Sequence, residues 1–253
     1  MATHQSTTPA LQDIGSPASF ISKALLRLTP PTKPFAPDQA WTHVYHDIST
    51  HNLHALQGEL TLRHEPGGHL LIESYRDCPD AYRYFTLADL HLSDNALRAP
   101  TQWHITTKVA RAVHQPPYLN SGLVKQAQVE HGQYTLAIGS RRHTRPLDGL
   151  YTCKWCLLAA VGRLPQDGTR PVRFTLLDEF DQICPGQTIV WRGQTQARTR
   201  RGPIMLHCYQ HTGTATMPGM FYVDEAGRIL AYLAGMEFLV LKSANGEETG
   251  YLK

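Results

Sequence analysis

The chain has 253 residues, with 24 lysines and arginines against 21 aspartates and glutamates, and a formal net charge of +3. A hydrophobic fraction of 42% and a charged fraction of 18% are those of an ordinary globular protein of one large or two small domains. Because nucleic-acid binding needs a larger excess of positive charge, we expect no nucleic-acid partner. No stretch approaches the roughly 18 uninterrupted apolar residues that a transmembrane helix needs, so we expect no transmembrane segment.

The N-terminal residues 1–28 lack the basic start and the unbroken apolar core of a secretory signal. Lys23 and Arg27 interrupt their only apolar run. The five cysteines form an odd, scattered set without a disulfide framework, which is typical of a reducing compartment. We therefore predict a cytoplasmic protein.

Residues 1–38 are rich in proline, serine and threonine, so we predict an irregular arm there and a single β-rich domain over residues 39–253. Within the arm, Ser16 is a good N-cap and Pro17 a good first helical residue. Apolar residues then recur at helical spacing as far as Leu28, and the prolines of TPPTKP end the helix. Such an amphipathic helix over residues 17–28 could lie on a membrane surface, but we expect it to pack on its own domain.

From Trp41 onward the pattern is that of β-strands. Six short runs rich in β-branched and aromatic residues precede residue 149, and six more follow residue 171. Turn-forming sequences separate them, among them EPGG at 65–68, HG at 131–132, PGQ at 185–187 and DEAGR at 224–228. The fold class predicted is mainly β (α+β): a curved antiparallel sheet or half-barrel of about ten to twelve strands, covered by one or two helices. Strand order, and so barrel against sandwich, stays open.

One further helix is predicted over residues 149–164, between the two series of strands. Its apolar positions, Leu150, Cys153, Leu157, Val161 and Leu164, form one helical stripe. The Cys-x-x-Cys in CKWC suggests a redox couple or half of a zinc site. A redox couple needs the first cysteine at a helix start after a parallel strand, whereas the predicted helix places it a turn inside. One such pair supplies at most two zinc ligands, so we predict two buried or half-buried thiols.

The sequence gives few candidates for catalysis or metal binding. His207 and His211 share a strand face but lie about 13 Å apart, too far to meet at one metal ion. Histidines near turns, such as His64 and His69, could ligate a metal, but nothing in the sequence supports it. Asp178 and Glu179 are a possible general acid and base, although neighbours on a strand face opposite sides. We predict no metal site, no cofactor and no catalytic residues beyond these weak candidates: His207, His211, Asp178 and Glu179.

Aromatic side chains and two basic clusters suggest a ligand site instead. In a curved sheet with a wide interior, aromatic residues would wall an apolar pocket, and in a filled sheet they would be core. The predicted wall consists of Trp103, Trp155, Trp191, Tyr209, Phe221 and Tyr232. The basic clusters, SRRHTR and WRGQTQARTRRG, each lie at a predicted connection and would form a rim for an anionic headgroup. The predicted rim residues are Arg141, Arg142, Arg198, Arg200 and Arg201.

The stretch from FTLLDEFDQICPGQTIVWRG to PGMFYVDEAGRILAYLAGMEFLVLK resembles the long antiparallel meanders of lipoprotein-carrier-like (LolA-like) half-barrel proteins. The resemblance is one of organisation over residues 40–242, carried by the hairpin from Pro218 to Gly227 and the helix between two strand series. It implies a curved sheet and covering helices that hold a lipid or another apolar molecule between them.

Together these features predict a protein that binds an apolar or amphipathic, lipid-like small molecule without turning it over. An enzyme that uses the same cavity is the first alternative, and convergence of some of the four acid–base candidates on one pocket would favour it. A protein-interaction scaffold with a filled core is the second.

Overall fold

A computed structural model describes residues 15–50, 52–78, 82–111 and 122–252. Two helices and sixteen strands lie within these ranges. The helices are α1 (Gly15–Leu25) and α2 (Lys154–Ala160), and a 3₁₀ turn (Val161–Arg163) continues α2. The strands before α2 are β1 (Trp41–Ile48), β2 (Leu56–Glu65), β3 (His69–Cys78), β4 (Tyr82–Leu92), β5 (Pro100–Arg111), β6 (Leu123–Glu130), β7 (Gln133–Ile138), β8 (Arg141–Pro146) and β9 (Tyr151–Thr152). Those after it are β10 (Val172–Asp178), β11 (Gln182–Thr199), β12 (Gly202–Thr212), β13 (Gly219–Val223), β14 (Ile229–Ala234), β15 (Glu237–Ala244) and β16 (Glu247–Glu248).

All strands belong to one large, curved, mostly antiparallel sheet. Its order is β8-β7-β6-β5-β4-β3-β2-β1-β15-β14-β13-β12-β11-β10-β9, and β16 pairs with β15. Two meanders therefore meet where β1 pairs with β15, and among the described strands only β9 and β10 are parallel. The predicted mainly β fold, a curved sheet with few helices, is confirmed. Each of the twelve strand-like runs corresponds to one of these strands, with β6, β8, β9 and β16 in addition.

The sheet curves far enough for its distant parts to touch. Lys125 Nζ on β6 lies 2.9 Å from a carboxylate oxygen of Asp181, in the turn after β10. The hydroxyl of Tyr134 on β7 donates to the carbonyl of Phe180 in the same turn. Near the other edge, the Tyr151 hydroxyl on β9 donates to the Pro100 carbonyl at the start of β5, 3.2 Å away. These contacts give the open sheet a barrel-like shape.

The two helices pack on opposite faces of β14 and β15. The ring of Phe20 on α1 lies 4.8 Å from that of Phe238, and Leu157 on α2 shares a cleft with Tyr232. Tyr232 pairs with Leu239, so the adjacent Phe238 points to the other side of the sheet. With helices on both faces, strands β13 to β15 are buried almost continuously rather than at alternate residues.

The amphipathic helix packs on its own domain, as expected. Ile21, Leu25 and Leu28 are fully buried, while Lys23 is exposed. It spans Gly15–Leu25 instead of residues 17–28, so Ser16 lies inside it and is not its N-cap. The arm before residue 15 lies outside the described residues. Neither described helix is long and apolar enough to cross a membrane.

Two local predictions were wrong. The segment PGQ is not a turn, since residues 185–187 lie inside the long strand β11, where a register shift opposite Phe174 and Leu176 accommodates them. The basic clusters are not both at connections: Arg200 and Arg201 lie in the β11–β12 turn, but Arg141 and Arg142 lie on edge strand β8 and Arg198 on β11. Strand β8 is exposed along its whole length, so no apolar alternation marks it in the sequence.

Candidate functional site

An open cleft of about 290 Å³ lies where the start of α2 meets the inner face of the sheet; we name it the α2 cleft. The ends of β10 and β12, the loop after β12 and the β14–β15 hairpin form its other walls. Its lining combines charged and polar groups with aliphatic side chains: Lys154, Leu157, Leu176, Asp178, His211, Ala215, Thr216, Met217, Tyr232, Ala234 and Glu237.

A buried glutamine fixes His211 in this cleft. The amide nitrogen of Gln187 donates to the carbonyls of Pro185 and Thr214, at 3.2 and 3.0 Å. Its oxygen therefore faces the other way and accepts from the Thr216 hydroxyl at 2.7 Å and from His211 Nε2 at 3.0 Å. Because that oxygen can only accept, Nε2 carries the proton, and Nδ1 keeps a lone pair. Burial lowers the pKa of His211, with Asp178 opposing, so the imidazole is neutral at pH 7.

Two polar groups of the cleft lack a hydrogen-bond partner among the described residues. Within the described part of the chain, neither the Asp178 carboxylate nor the Tyr232 hydroxyl makes a hydrogen bond. Burial raises the pKa of Tyr232, and the charges of Glu237 and Asp178 raise it further. Asp178 therefore acts electrostatically on both His211 and Tyr232, which puts a carboxylate, an imidazole and a phenol within reach of one bound molecule.

A pair of charges closes the opposite side of the cleft. Lys154 Nζ, at the start of α2, lies 2.5 Å from a carboxylate oxygen of Glu237 on β15. Both charges also affect the pKa of Asp47, which Glu237 raises and Lys154 lowers. The Asp47 carboxylate lies 3.2 Å from Arg76 Nε. Burial raises the pKa of Asp47 to about 6, against the lowering effect of Arg76. The lining itself carries one cation and two carboxylates, which favours a neutral or cationic ligand over an anion.

Two of the four acid–base candidates meet in this cleft, and two do not. Asp178 and His211 both line it. Convergence of such candidates on one pocket is the condition that we expected to favour an enzyme. His207 instead lies near Gln194, with 3.3 Å between its Nε2 and the amide nitrogen. Glu179 is not on a strand; it adopts a φ of 45° in the turn after β10, where its carbonyl accepts from Lys125. Sequence reasoning missed the supporting groups, which come from distant segments: Lys154, Gln187 and Glu237.

The aromatic residues proposed as a ligand wall lie mostly within the core. Trp103 is 2% exposed and stacks on Tyr134, with ring centroids 5.5 Å apart. Phe221 packs on Tyr232 at 4.5 Å, and the Tyr209 hydroxyl donates to the Leu164 carbonyl at 2.9 Å. Trp155 and Trp191 are partly buried. Of the six, Tyr232 alone lines the α2 cleft, so contact of the other five with a ligand remains a prediction.

The arginines proposed as a headgroup rim lie away from the α2 cleft. Arg142, on β8, lines a groove on the outer face of the sheet beside His104. The backbone of Arg200 donates to the carbonyl of Leu28, and the Arg201 guanidinium to that of Pro30, in the β11–β12 turn. An anionic headgroup at a single basic rim therefore remains a prediction from the sequence.

The CKWC segment differs from the predicted long helix. Tyr151 and Thr152 form strand β9, parallel to β10, and Cys153 is the N-cap of α2. The expected position of Cys153 a full turn inside the helix was wrong, because backbone pairing with Thr175 and Leu176 draws the preceding residues into the sheet. The two thiols are buried, 3.3 Å apart, and burial raises the pKa of Cys156. Burial opposes formation of the reactive thiolate there.

Comparisons with known proteins identify the architecture but no family. No protein-family model and no curated protein matches the chain. A crystal structure described as a β-barrel-like protein of the domain of unknown function DUF1849 from Brucella abortus has a similar fold, with a TM-score of 0.55. The two share 10% sequence identity over 82% of this chain and 98% of that one. At this identity the similarity shows the fold alone, and the chain has a β-barrel-like fold.

Proposed function

We propose that this protein binds a small amphipathic molecule in the α2 cleft. The observation that carries the proposal is the convergence of the unpartnered Asp178 carboxylate and Tyr232 hydroxyl on an open cleft. Both groups open into the cleft, so a ligand that hydrogen-bonds to them would take the place of water there. Leu157, Leu176 and Met217 supply an apolar surface for the rest of the molecule.

The cleft limits the size and the charge of the molecule. About 290 Å³ is at the small end of ligand sites, which range from roughly 300 to 1,000 Å³. Within the described ranges Asp178 forms no ion pair, whereas Glu237 is already paired with Lys154. We therefore expect an aliphatic or aromatic molecule with a cationic or hydrogen-bond-donating end directed at Asp178, for which amines are the simplest class.

The lipoprotein-carrier-like resemblance is compatible with this proposal. A helix packed against the inner face of a curved sheet, with an amphipathic cleft between them, is the kind of arrangement that the resemblance implies. That the bound molecule is a lipid remains a prediction from the sequence. The size of the cleft favours a single acyl chain or a small headgroup over a whole diacyl lipid.

Native mass spectrometry of the full chain, followed by solvent extraction, identifies any molecule that co-purifies. A panel of medium-chain aliphatic amines is then titrated calorimetrically, beside carboxylic acids of matched length. We expect the amines to bind and the acids not to bind. Asp178→Asn should weaken amine binding at least about tenfold, because a charge-assisted hydrogen bond contributes about 1.5–3 kcal/mol.

Glu225→Gln is the matched control, since Glu225 is an exposed carboxylate in the β13–β14 turn, outside the cleft. It should bind the amines as the wild type does. The proposal is wrong if no amphipathic molecule binds, or if the two variants lower affinity equally.

A second candidate function is acid–base catalysis in the same cleft. The specific observation in its favour is that burial keeps His211 neutral while Gln187 holds its Nε2–H, which leaves the lone pair on Nδ1, with Asp178 close enough to affect the ring. Such an imidazole can accept a proton from a bound molecule. Each molecule found to bind is therefore incubated with the protein and analysed for products, with His211→Gln as the comparison. Turnover by the wild type and its loss in the variant would support catalysis, and binding without products would leave the non-catalytic function.

A further inference from the structure

Three ionisable side chains meet on the outer face of the sheet, away from the α2 cleft. His69 on β3 is paired directly opposite His91 on β4, and Asp89 is two residues before His91 on the same strand. Residues two apart on a strand share a face, and directly paired residues lie side by side. The pairing of β3 with β4 therefore places two imidazoles and one carboxylate together, although 22 positions separate His69 from His91 in the sequence.

The distances are close to those of a metal site. The two histidine rings have centroids 4.0 Å apart, and His69 Nδ1 lies 3.6 Å from a carboxylate oxygen of Asp89. One potential ligand atom from each of the three residues lies within 4.8 Å of the other two. Ligands about 2.0–2.1 Å from a tetrahedral zinc ion are about 3.3 Å apart. Small rotations of these partly exposed side chains bring the three atoms to that separation.

We propose that His69, Asp89 and His91 bind a divalent transition-metal ion. Two imidazoles and a carboxylate suit zinc, cobalt, nickel, copper or iron, whereas magnesium and calcium prefer sites made of oxygen alone. Three protein ligands on an exposed face leave at least one coordination position for water or another molecule.

The next strands continue the site as a polar groove of about 330 Å³. Asp89 is paired with His104 on β5, which is paired with Gln126 on β6, and His91 is paired with Gln102. The Gln126 amide nitrogen lies 3.0 Å from His104 Nδ1 and, being a donor, occupies its lone pair. His104 is thereby held away from the ion, and the groove extends from Asp89 and His91 past it toward Arg142.

The test uses the full chain without a polyhistidine tag, freed of metal by chelation. Cobalt(II) is titrated and followed by its visible absorption, and zinc(II) is titrated calorimetrically. We expect one equivalent to bind with micromolar or better affinity, without competition from magnesium or calcium. The cobalt spectrum should lack the thiolate charge-transfer band that binding by Cys153 and Cys156 would produce. A 1:1 complex with that band would overturn the proposal and assign the metal to the CKWC segment.

Variants decide which residues hold the ion. His69→Asn, His91→Asn and Asp89→Asn should each lower affinity at least about tenfold, since losing even an outer partner of a ligand typically costs roughly 10–100-fold. His143→Asn is the matched control, because His143 is an exposed histidine on β8 outside the cluster, and it should bind as the wild type does. The proposal fails if the wild type binds no equivalent of either metal, or if His91→Asn binds as tightly as the control.

Discussion

At the scale of single residues, two tyrosines in one row across the sheet have opposite hydrogen-bonding states. Tyr209 on β12 is paired with Phe221, which is paired with Tyr232 on β14. The Tyr209 hydroxyl donates to the buried Leu164 carbonyl at 2.9 Å, whereas the Tyr232 hydroxyl opens into the α2 cleft. Both residues are at most 5% exposed, so the two rings are similarly buried. The difference between the two tyrosines is the hydrogen-bond partner of the hydroxyl.

We expect Tyr209→Phe to lower the free energy of unfolding by about 1–3 kcal/mol, since it leaves the Leu164 carbonyl buried without a donor. Tyr232→Phe, the matched variant, should change it by less than about 0.5 kcal/mol. Urea denaturation of the two variants and the wild type measures both values. Equal losses in the two variants would contradict this difference in hydrogen bonding.

Single-residue chemistry was only partly predictable from the sequence. Asp178 and His211 could be named because carboxylates and imidazoles are few within the apolar runs. Gln187 could not, since its role depends on carbonyls of the chain at Pro185 and Thr214 and on a partner 24 residues away. The pairing of His69 with His91 was missed for the same reason: strand register is set by the whole sheet and is invisible to local spacing.

At the scale of elements, the 3₁₀ turn after α2 makes a close backbone contact with the β13–β14 hairpin. A β-carbon added at Gly162 would lie 1.9 Å from the carbonyl oxygen of Gly227. The Tyr209 hydroxyl binds the Leu164 carbonyl two residues further along. The end of α2 is thus fixed against the inner face of the sheet at both points, and this positions the apolar wall of the α2 cleft.

Gly162→Ala should therefore lower the free energy of unfolding by about 1–3 kcal/mol or more, because two backbone segments must separate to admit a methyl group. Gly122→Ala is the control, since a β-carbon there would meet its nearest neighbours at 3.6 and 3.7 Å, an ordinary contact. Thermal denaturation by circular dichroism compares the two. A midpoint for Gly162→Ala equal to that of the control would show that the contact is not tight in solution.

The elements that the sequence predicted best are those whose apolar periodicity is set locally. Buried residues alternate with more exposed ones along β2 and in the first half of β3, and the predicted ends of both strands lie within a few residues of the observed ones. The helix containing CKWC was predicted too long. Its apolar residues are spaced as in one long helix, but the same residues form a two-residue strand, a short helix and a 3₁₀ turn in succession. Leu157 and Val161 are buried in either case.

At the scale of the whole molecule, the curved sheet was predictable and the joining of its two meanders was not. Consecutive runs with short turns predict antiparallel neighbours, and the β13–β14 hairpin around DEAGR forms as expected. The pairing of β1 with β15 joins residues about 200 positions apart, which no local pattern encodes. That pairing brings His43 and His46 of β1 into the interior of the fold, where they affect the stability of the whole domain.

Buried histidines make this fold sensitive to acid. Burial, together with a smaller effect of the Arg228 charge, lowers the pKa of His43 to about 3; the imidazole lies among the rings of Phe35, Trp41 and Tyr45. Burial also lowers the pKa of three more histidines: His46, His64 and His211. Below about pH 6.5 these histidines bind protons in the unfolded chain but stay neutral in the folded protein. The free energy of unfolding therefore falls as the pH falls. Asp47 acts oppositely, because its pKa is raised to about 6.

We expect the free energy of unfolding to decrease from pH 7 to pH 5, and His43 alone to contribute about 2 kcal/mol of that decrease at about 1.4 kcal/mol per pH unit. His43→Gln removes a titrating group, so its loss of stability over the same interval should be smaller by about that amount. His143→Gln, at an exposed position on β8, should follow the wild-type profile. Urea denaturation at several pH values gives the three profiles. Parallel profiles for His43→Gln and the wild type would mean that His43 is protonated in the folded protein, and that the interior around β1 admits water.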